Sequence, residues 1–127
     1  MTPKDETDLR VAEEIELVTT GRRSGQPHTV TLWSAYADGA LWLRTDSDAD
    51  WYRNLLADPR CRVRFGDREV DGRYEQAASA KGPPPDHDQG LRHVIDLWRK
   101  KYGAEWVGDW YVERGRIPVR FRIVNGA

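Results

Sequence analysis

The sequence predicts a mainly β domain of the α+β class, with six short antiparallel strands closing into a small or partly open barrel and helices laid across it. Three observations carry this. Apolar and polar residues alternate with a period of two along six separate runs. Turn dipeptides, Asp38-Gly39 above all, join neighbouring runs at hairpin distance. Helical spacing of apolar residues is confined to two stretches, and prolines lie next to both.

Residues 1–12 are polar and mixed in charge, which reads as a loose N-terminal arm on a single domain spanning 1–127. Ile15 and Leu17 then alternate with Glu14 and Glu16. His28 to Tyr36 and Ala40 to Thr45 make the second and third strands around the Asp38-Gly39 turn. Asp48 or Asp50 is placed to cap a short helix that holds Trp51, Leu55 and Leu56 and stops before Pro59. Cys61, Val63 and Phe65 alternate with Arg62 and Arg64, turn at Gly66-Asp67, and return as Val70, Gly72 and Tyr74 between charged neighbours. After the stiff Pro83-Pro84-Pro85 connector, Leu91, Val94, Ile95, Trp98 and Tyr102 mark one face of a longer helix. Val119, Phe121 and Ile123 form the last strand.

The balance of 20 basic against 21 acidic residues gives no footprint for nucleic acid or a charged membrane. Six tryptophans argue for a packed domain with aromatic-lined surfaces. A single cysteine, Cys61, rules out an internal disulfide and a thiolate metal centre, and its alternation with Val63 makes it a small buried hydrophobe. No apolar run of membrane length and no leader pattern stands out, so the cytoplasm is the expected address.

The richest local signal is Thr19 to His28, TTGRRSGQPH, between two strands. Its glycines free the backbone to present amides, and Arg22 and Arg23 offer rigid forks of donors. The stretch suits a phosphate or carboxylate, or else is a solvated turn with two basic residues. No Ser/His/Asp set, P-loop or dinucleotide fingerprint is present. His87 and His93 stand on different faces of their helix, so no metal site is expected. A domain without a nucleophile or acid–base set fits an enzyme whose cofactor carries the chemistry, and equally a plain binding domain.

Several segments occur in one order: TTGRRSGQP, a strand ending in Leu32, the Asp-Gly hairpin, WYRNLLADPRCRVRFG, and RIPV before the last strand. From Glu16 to Val124 the chain resembles the deazaflavin (F420)-dependent nitroreductases, within the split β-barrel oxidoreductases that hold flavins or deazaflavins. The resemblance implies a six-stranded split β-barrel with two to three helices. It also implies an oxidoreductase that passes hydride from reduced coenzyme F420 to a small planar acceptor. FMN is the alternative cofactor, and a non-catalytic ligand-binding barrel the alternative function. A homodimer is expected.

On the same resemblance, Arg22, Arg23, Ser24, Gly25 and Gln26 grip the phosphate and carboxylate tail of the cofactor, and no catalytic side chain is implied. His28 stands where the family has another arginine. Val30, Thr31 and Leu32 run beneath the ring, with Thr31-Leu32 replacing a Pro-Leu pair. Trp51 and Asn54, on one helix face, lie beside the cofactor, where Asn54 is either a hydrogen-bonding contact or a structural amide. Tyr102, Trp106 and Trp110 recur every four residues along a continuing helix, and Trp106, Trp110 and Tyr111 wall the acceptor. In place of a Gly-rich loop with a lysine, the chain has Asp46, Asp48 and Asp50. These either repel an anion or serve as a helix cap and solvated charges.

Overall fold

The computed structural model describes residues 2–75, 87–113 and 115–124. Three helices occur among them: α1 (Pro3–Val11), α2 (Asp50–Ala57) and α3 (His87–Tyr102). One sheet holds seven strands rather than the six expected. They are β1 (Ile15–Thr20), β2 (Pro27–Leu32), β3 (Ala35–Ala37), β4 (Ala40–Thr45), β5 (Arg60–Phe65), β6 (Arg68–Glu75) and β7 (Ile117–Val124). Their order is β2-β1-β5-β6-β7-β4-β3, and every pairing is antiparallel.

The two edge strands, β2 and β3, are consecutive in sequence with only Trp33 and Ser34 between them. So short a link forces the sheet to curl until its edges approach, which makes a half-barrel with a seam. The extra strand arises at that seam. Ser34 donates its amide to Tyr102 Oη at 3.1 Å, and its carbonyl accepts from Lys101 Nζ at 2.6 Å. With both backbone groups taken by α3 side chains, Ser34 cannot join a ladder, and the expected run His28–Tyr36 breaks there.

Leu17, Val63, Leu41, Leu43, Val119 and Phe121 are fully buried inside the curl. Leu41 and Leu43 pair across from Phe121 and Val119 on β7. Trp42, between them, points to the opposite face, where His93 of α3 meets it edge-on at 4.4 Å. Strand β4 is therefore covered on both sides, which explains its continuous apolar run. The predicted face of α3 is the one buried: Leu91, Val94, Ile95 and Trp98 are at most 4% exposed. The Asp38-Gly39 turn has φ of 54° and 74°, the paired left-handed geometry of the tightest hairpins.

Four expectations fail for identifiable reasons. The arm expected over 1–12 contains α1, whose capping box joins Thr2 and Asp5, with Pro3 in the first turn. Leu9 is its single buried apolar residue, too little for a periodic signal, and Asp5 holds Arg68 at 2.8 Å. Neither Asp48 nor Asp50 caps α2; Ala49 occupies the cap with no side-chain hydrogen bond. Leu56 lies on the outer side of α2, 57% exposed. Finally, α3 ends at Tyr102, where Gly103 adopts a φ of 99°, so Trp106 and Trp110 do not continue its face. The Pro83–Pro85 connector lies outside the described residues, as does the side chain of His87.

Lys101 at the seam gives a pH dependence. Burial pulls its ammonium down to about 8 from the ordinary 10.5. Between those values the unfolded chain holds a proton that the folded chain lacks, so this group makes stability rise with pH. Tyr36, Tyr74 and Tyr102 are each raised above the ordinary 10.0 chiefly by burial, so they oppose this rise only as the pH approaches 10 and beyond. Lys101→Met should flatten the rise, measured as melting temperature from about pH 7 to about pH 10. Parallel curves for parent and variant would remove Lys101 as its source.

Candidate functional site

The Arg22–Gly25 loop closes the β1–β2 hairpin. Gly21 donates to Gln26 O at 2.8 Å, and Gly25 donates back to Gly21 O at 2.8 Å. Gly25 takes a left-handed φ of 71°, and a Cβ on Gly21 would sit 2.6 Å from Ser24 Oγ. Ser24 Oγ accepts from the Gln26 amide at 3.1 Å, which stiffens the bend. Among the described residues, the amides of Arg23 and Ser24 donate to nothing, and the Arg23 side chain is exposed without a hydrogen bond or ion pair. Two adjacent unengaged amides beside a free guanidinium form a compact set of donors for an anion.

Arg22 behaves differently. Its amide and Nη1 both donate to Asn54 Oδ1, at 3.1 and 2.9 Å, and Nη2 pairs with Asp50 Oδ1 at 3.1 Å. Asn54, 3% exposed, donates its own amide to Thr19 Oγ1 at 3.1 Å. Asn54 Oδ1 and one Nδ2 donor are thus engaged inside the protein, a structural role for this amide. The pair rivets the turn to α2, whose first-turn amides lack a side-chain cap. Two of the three loop aspartates are paired, Asp50 with Arg22 and Asp46 with Arg116 at 3.7 Å.

Strand alternation divides the residues expected beneath a ring. His28, Val30 and Leu32 pair with Thr19, Leu17 and Ile15 and share the inner side, whereas Thr31 pairs with Glu16 and faces outward. One flat group therefore cannot touch the side chains of Val30, Thr31 and Leu32 together. Val30 and Leu32 are partly buried against the core, and His28 is exposed. Trp51, 7% exposed, belongs to the core itself.

The aromatic residues expected around an acceptor form a second group. A 3-10 turn, Trp110–Glu113, follows the loop after α3. Arg92 stacks over Trp110 at 3.9 Å, and Tyr111 meets Trp110 edge-on at 6.4 Å. Tyr111 and Trp106 are 60% and 73% exposed. Tyr102 is turned away to the Ser34 seam and stacks on Trp33 at 4.2 Å. This second group is tied to the loop before α2 through Arg116–Asp46 and to β4 through Arg44, whose Nε and Nη2 hold Glu113 at 2.6 and 2.9 Å.

Sequence reasoning missed a cavity of about 560 Å³ on the outer face of the sheet. Gly25, Pro27 and Thr20 border it from the hairpin, and Arg60, Arg62 and Arg73 come from β5 and β6. Arg60 is paired with Asp58, whose carboxyl it holds near 2, and Arg62 with Glu69. Arg73 has no ion pair among the described residues. The alternation that exposed these arginines was legible, but which of them face one hollow was not. Asp71 also lines it, so its charge is basic but not uniform. Cys61 borders it from the core side, and its thiol, buried in the core and pushed up to about 12 by that burial, is inert.

A curled antiparallel half-barrel of seven strands, its edges brought together at a seam, is a split β-barrel. The model of the F420H2-dependent quinone reductases matches residues 5–119, and the chain belongs to that family. It is an F420-dependent oxidoreductase, and F420 is its cofactor. None of the curated proteins compared matches the chain. Among solved structures it is similar to an FAD-binding protein from Mesorhizobium loti, at 22% identity and a TM-score of 0.68, covering 98% of this chain and 91% of that one. An F420 reductase shares 21% identity with a TM-score of 0.68, over 94% and 92% of the two chains. A heme storage protein from Vibrio cholerae shares 13% with a TM-score of 0.69, over 98% and 90%. Neighbours described by three different ligands at such identities establish the fold alone.

Proposed function

We propose that the protein passes hydride from reduced F420 to a small planar acceptor, a quinone being the class that the family's description names. The observation that carries this reading is the turn: free donors on Arg23 and Ser24, riveted by Arg22 and Asn54 to an uncapped helix start. These residues suit a cofactor whose tail is a run of phosphate and carboxylate anions. When bound, F420 supplies the hydride, so the chain needs no nucleophile of its own. Arg23 and the turn amides hold the tail's phosphate, and Arg73 with Arg62 in the outer-face cavity attracts its carboxylates. Val30 and Leu32 give an apolar support from the inner side of β2. Trp110 and Tyr111 form a wall that excludes water and orients a flat acceptor.

No helix among the described residues is long and apolar enough to cross a membrane, and the cytoplasm remains the address we propose. A homodimer belongs to the same reading: β2 is an edge strand, exposed along Pro27–Thr29, and one similar structure is described as a domain-swapped dimer. The test is a fluorescence titration of the protein with F420 and with FMN at matched salt, followed by turnover of F420H2 with a soluble quinone. Micromolar or tighter binding of F420, with quinone-dependent oxidation of F420H2, is expected. Binding without any turnover would reduce the protein to a carrier, and preference for FMN would overturn the assignment of the turn.

A further inference from the structure

We infer that Arg44 and Glu113 are a positioning pair that holds the aromatic wall in place for the acceptor. The inference rests on the reading of Trp110 and Tyr111 as the acceptor side. It starts from how little apolar burial secures the segment between α3 and β7. Trp106, Tyr111 and Val112 are 73%, 60% and 68% exposed; Val107 is buried at 5%, and Trp110 packs only partly buried against the core. A stretch that turns its apolar groups outward must be fixed by polar contacts instead.

Those contacts come from four arginines. Arg99 donates to Val107 O at 2.8 Å, Arg92 stacks on Trp110 at 3.9 Å, and Arg116 reaches Asp46 at 3.7 Å. The fourth is of another quality. Arg44 grips Glu113 with two parallel hydrogen bonds of 2.6 and 2.9 Å, and the side chains are only 26% and 16% exposed. A planar guanidinium against a carboxylate in this fork geometry fixes direction as well as distance. Arg44 is itself held, 4.8 Å above the ring of Trp98, whose indole N–H donates to Trp42 O at 3.0 Å. The clamp therefore runs from the wall to the buried centre of the sheet.

Residues three apart on a 3-10 turn eclipse one another. Drawing Glu113 inward onto β4 also orients Trp110, three residues earlier, and leaves Tyr111 and Val112 facing out. Released from Arg44, the turn keeps its sequence but loses its orientation. The pair acts through Trp110 and Tyr111 and is separate from the anion turn.

The test uses Glu113→Gln, Arg44→Lys and the swapped pair Arg44→Glu with Glu113→Arg, beside Trp110→Ala and Tyr111→Ala. In the cofactor-free protein, amide hydrogen exchange over residues 110–116 should quicken ten-fold or more in Glu113→Gln, with most other amides unchanged. Quinone KM should rise at least ten-fold while F420 affinity stays within two-fold, and the swapped pair should restore much of the loss. If Trp110→Ala and Tyr111→Ala raise the quinone KM but both clamp variants leave it unmoved, the clamp inference is wrong and the wall stands. If neither aromatic variant moves it, the wall reading falls and the inference with it.

Discussion

Arg22→Ala combined with Arg23→Ala should weaken F420 binding ten-fold or more, and the two single variants should separate two kinds of loss. A charged hydrogen bond contributes on the order of 1.5–3 kcal/mol, and about 1.4 kcal/mol is one factor of ten in affinity. Arg23 is exposed with its donors unspent, so Arg23→Ala should cost affinity and leave thermal stability unchanged. Arg22 is engaged with Asn54 and Asp50. Arg22→Ala should therefore lower the melting temperature too, and Asn54→Ala should reproduce that loss by stranding the Thr19 hydroxyl and the Arg22 fork. Affinity should also fall with added salt, and fall less steeply in Arg23→Ala. A double variant that binds as tightly as the parent would dismiss the turn as the anchor.

Trp98→Ala should be among the most destabilising substitutions in the chain, by about 3–5 kcal/mol, out of a typical total of about 5–15. Trp98 is 4% exposed and joins three parts of the molecule. It donates to the Trp42 carbonyl, carries Arg44 on its face, and meets Trp33 and Tyr102 at the seam. Trp98→Phe keeps much of the volume but loses the indole's hydrogen bond to the Trp42 carbonyl, at about 0.5–1.5 kcal/mol. Denaturant titration of the three proteins would show the order parent, Phe, Ala in midpoint with similar slopes. A loss under about 1 kcal/mol for Trp98→Ala would mean the site can collapse around the gap. Because the substitution also frees Arg44, its effect and that of Glu113→Gln should fall short of adding.

Much of the architecture is local and was readable. Alternation located six of the strands, since a half-covered strand must place apolar groups on every second residue. Asp38-Gly39 marked its hairpin because few other pairs accept two left-handed residues. The buried face of α3 followed from helical spacing. What failed depended on partners distant in sequence. The break at Ser34 is imposed by Lys101 and Tyr102, sixty-seven and sixty-eight positions away. Helix α1 buries one leucine and leans on Arg68 and Tyr36, so only its capping box gave a sign. The aromatics beyond Tyr102 kept a spacing of four while Gly103 ended the helix that would have aligned them.

The candidate site divides the same way. Sequence alone determined the chemistry on offer: an arginine–glycine turn fit for anions, no nucleophile set, and motifs in the order shared by F420-dependent barrels. Those are properties of residue type and spacing, which a chain carries before it folds. Only tertiary structure decided which of these groups are engaged and where they face. It assigned Arg22 and Asn54 to hold the turn and left Arg23 free, put Thr31 on the face away from Val30 and Leu32, and gathered Arg60, Arg62 and Arg73 around one hollow. The physical reason is that a donor's availability depends on whether the fold has already brought it an acceptor, and that acceptor is rarely its neighbour in sequence.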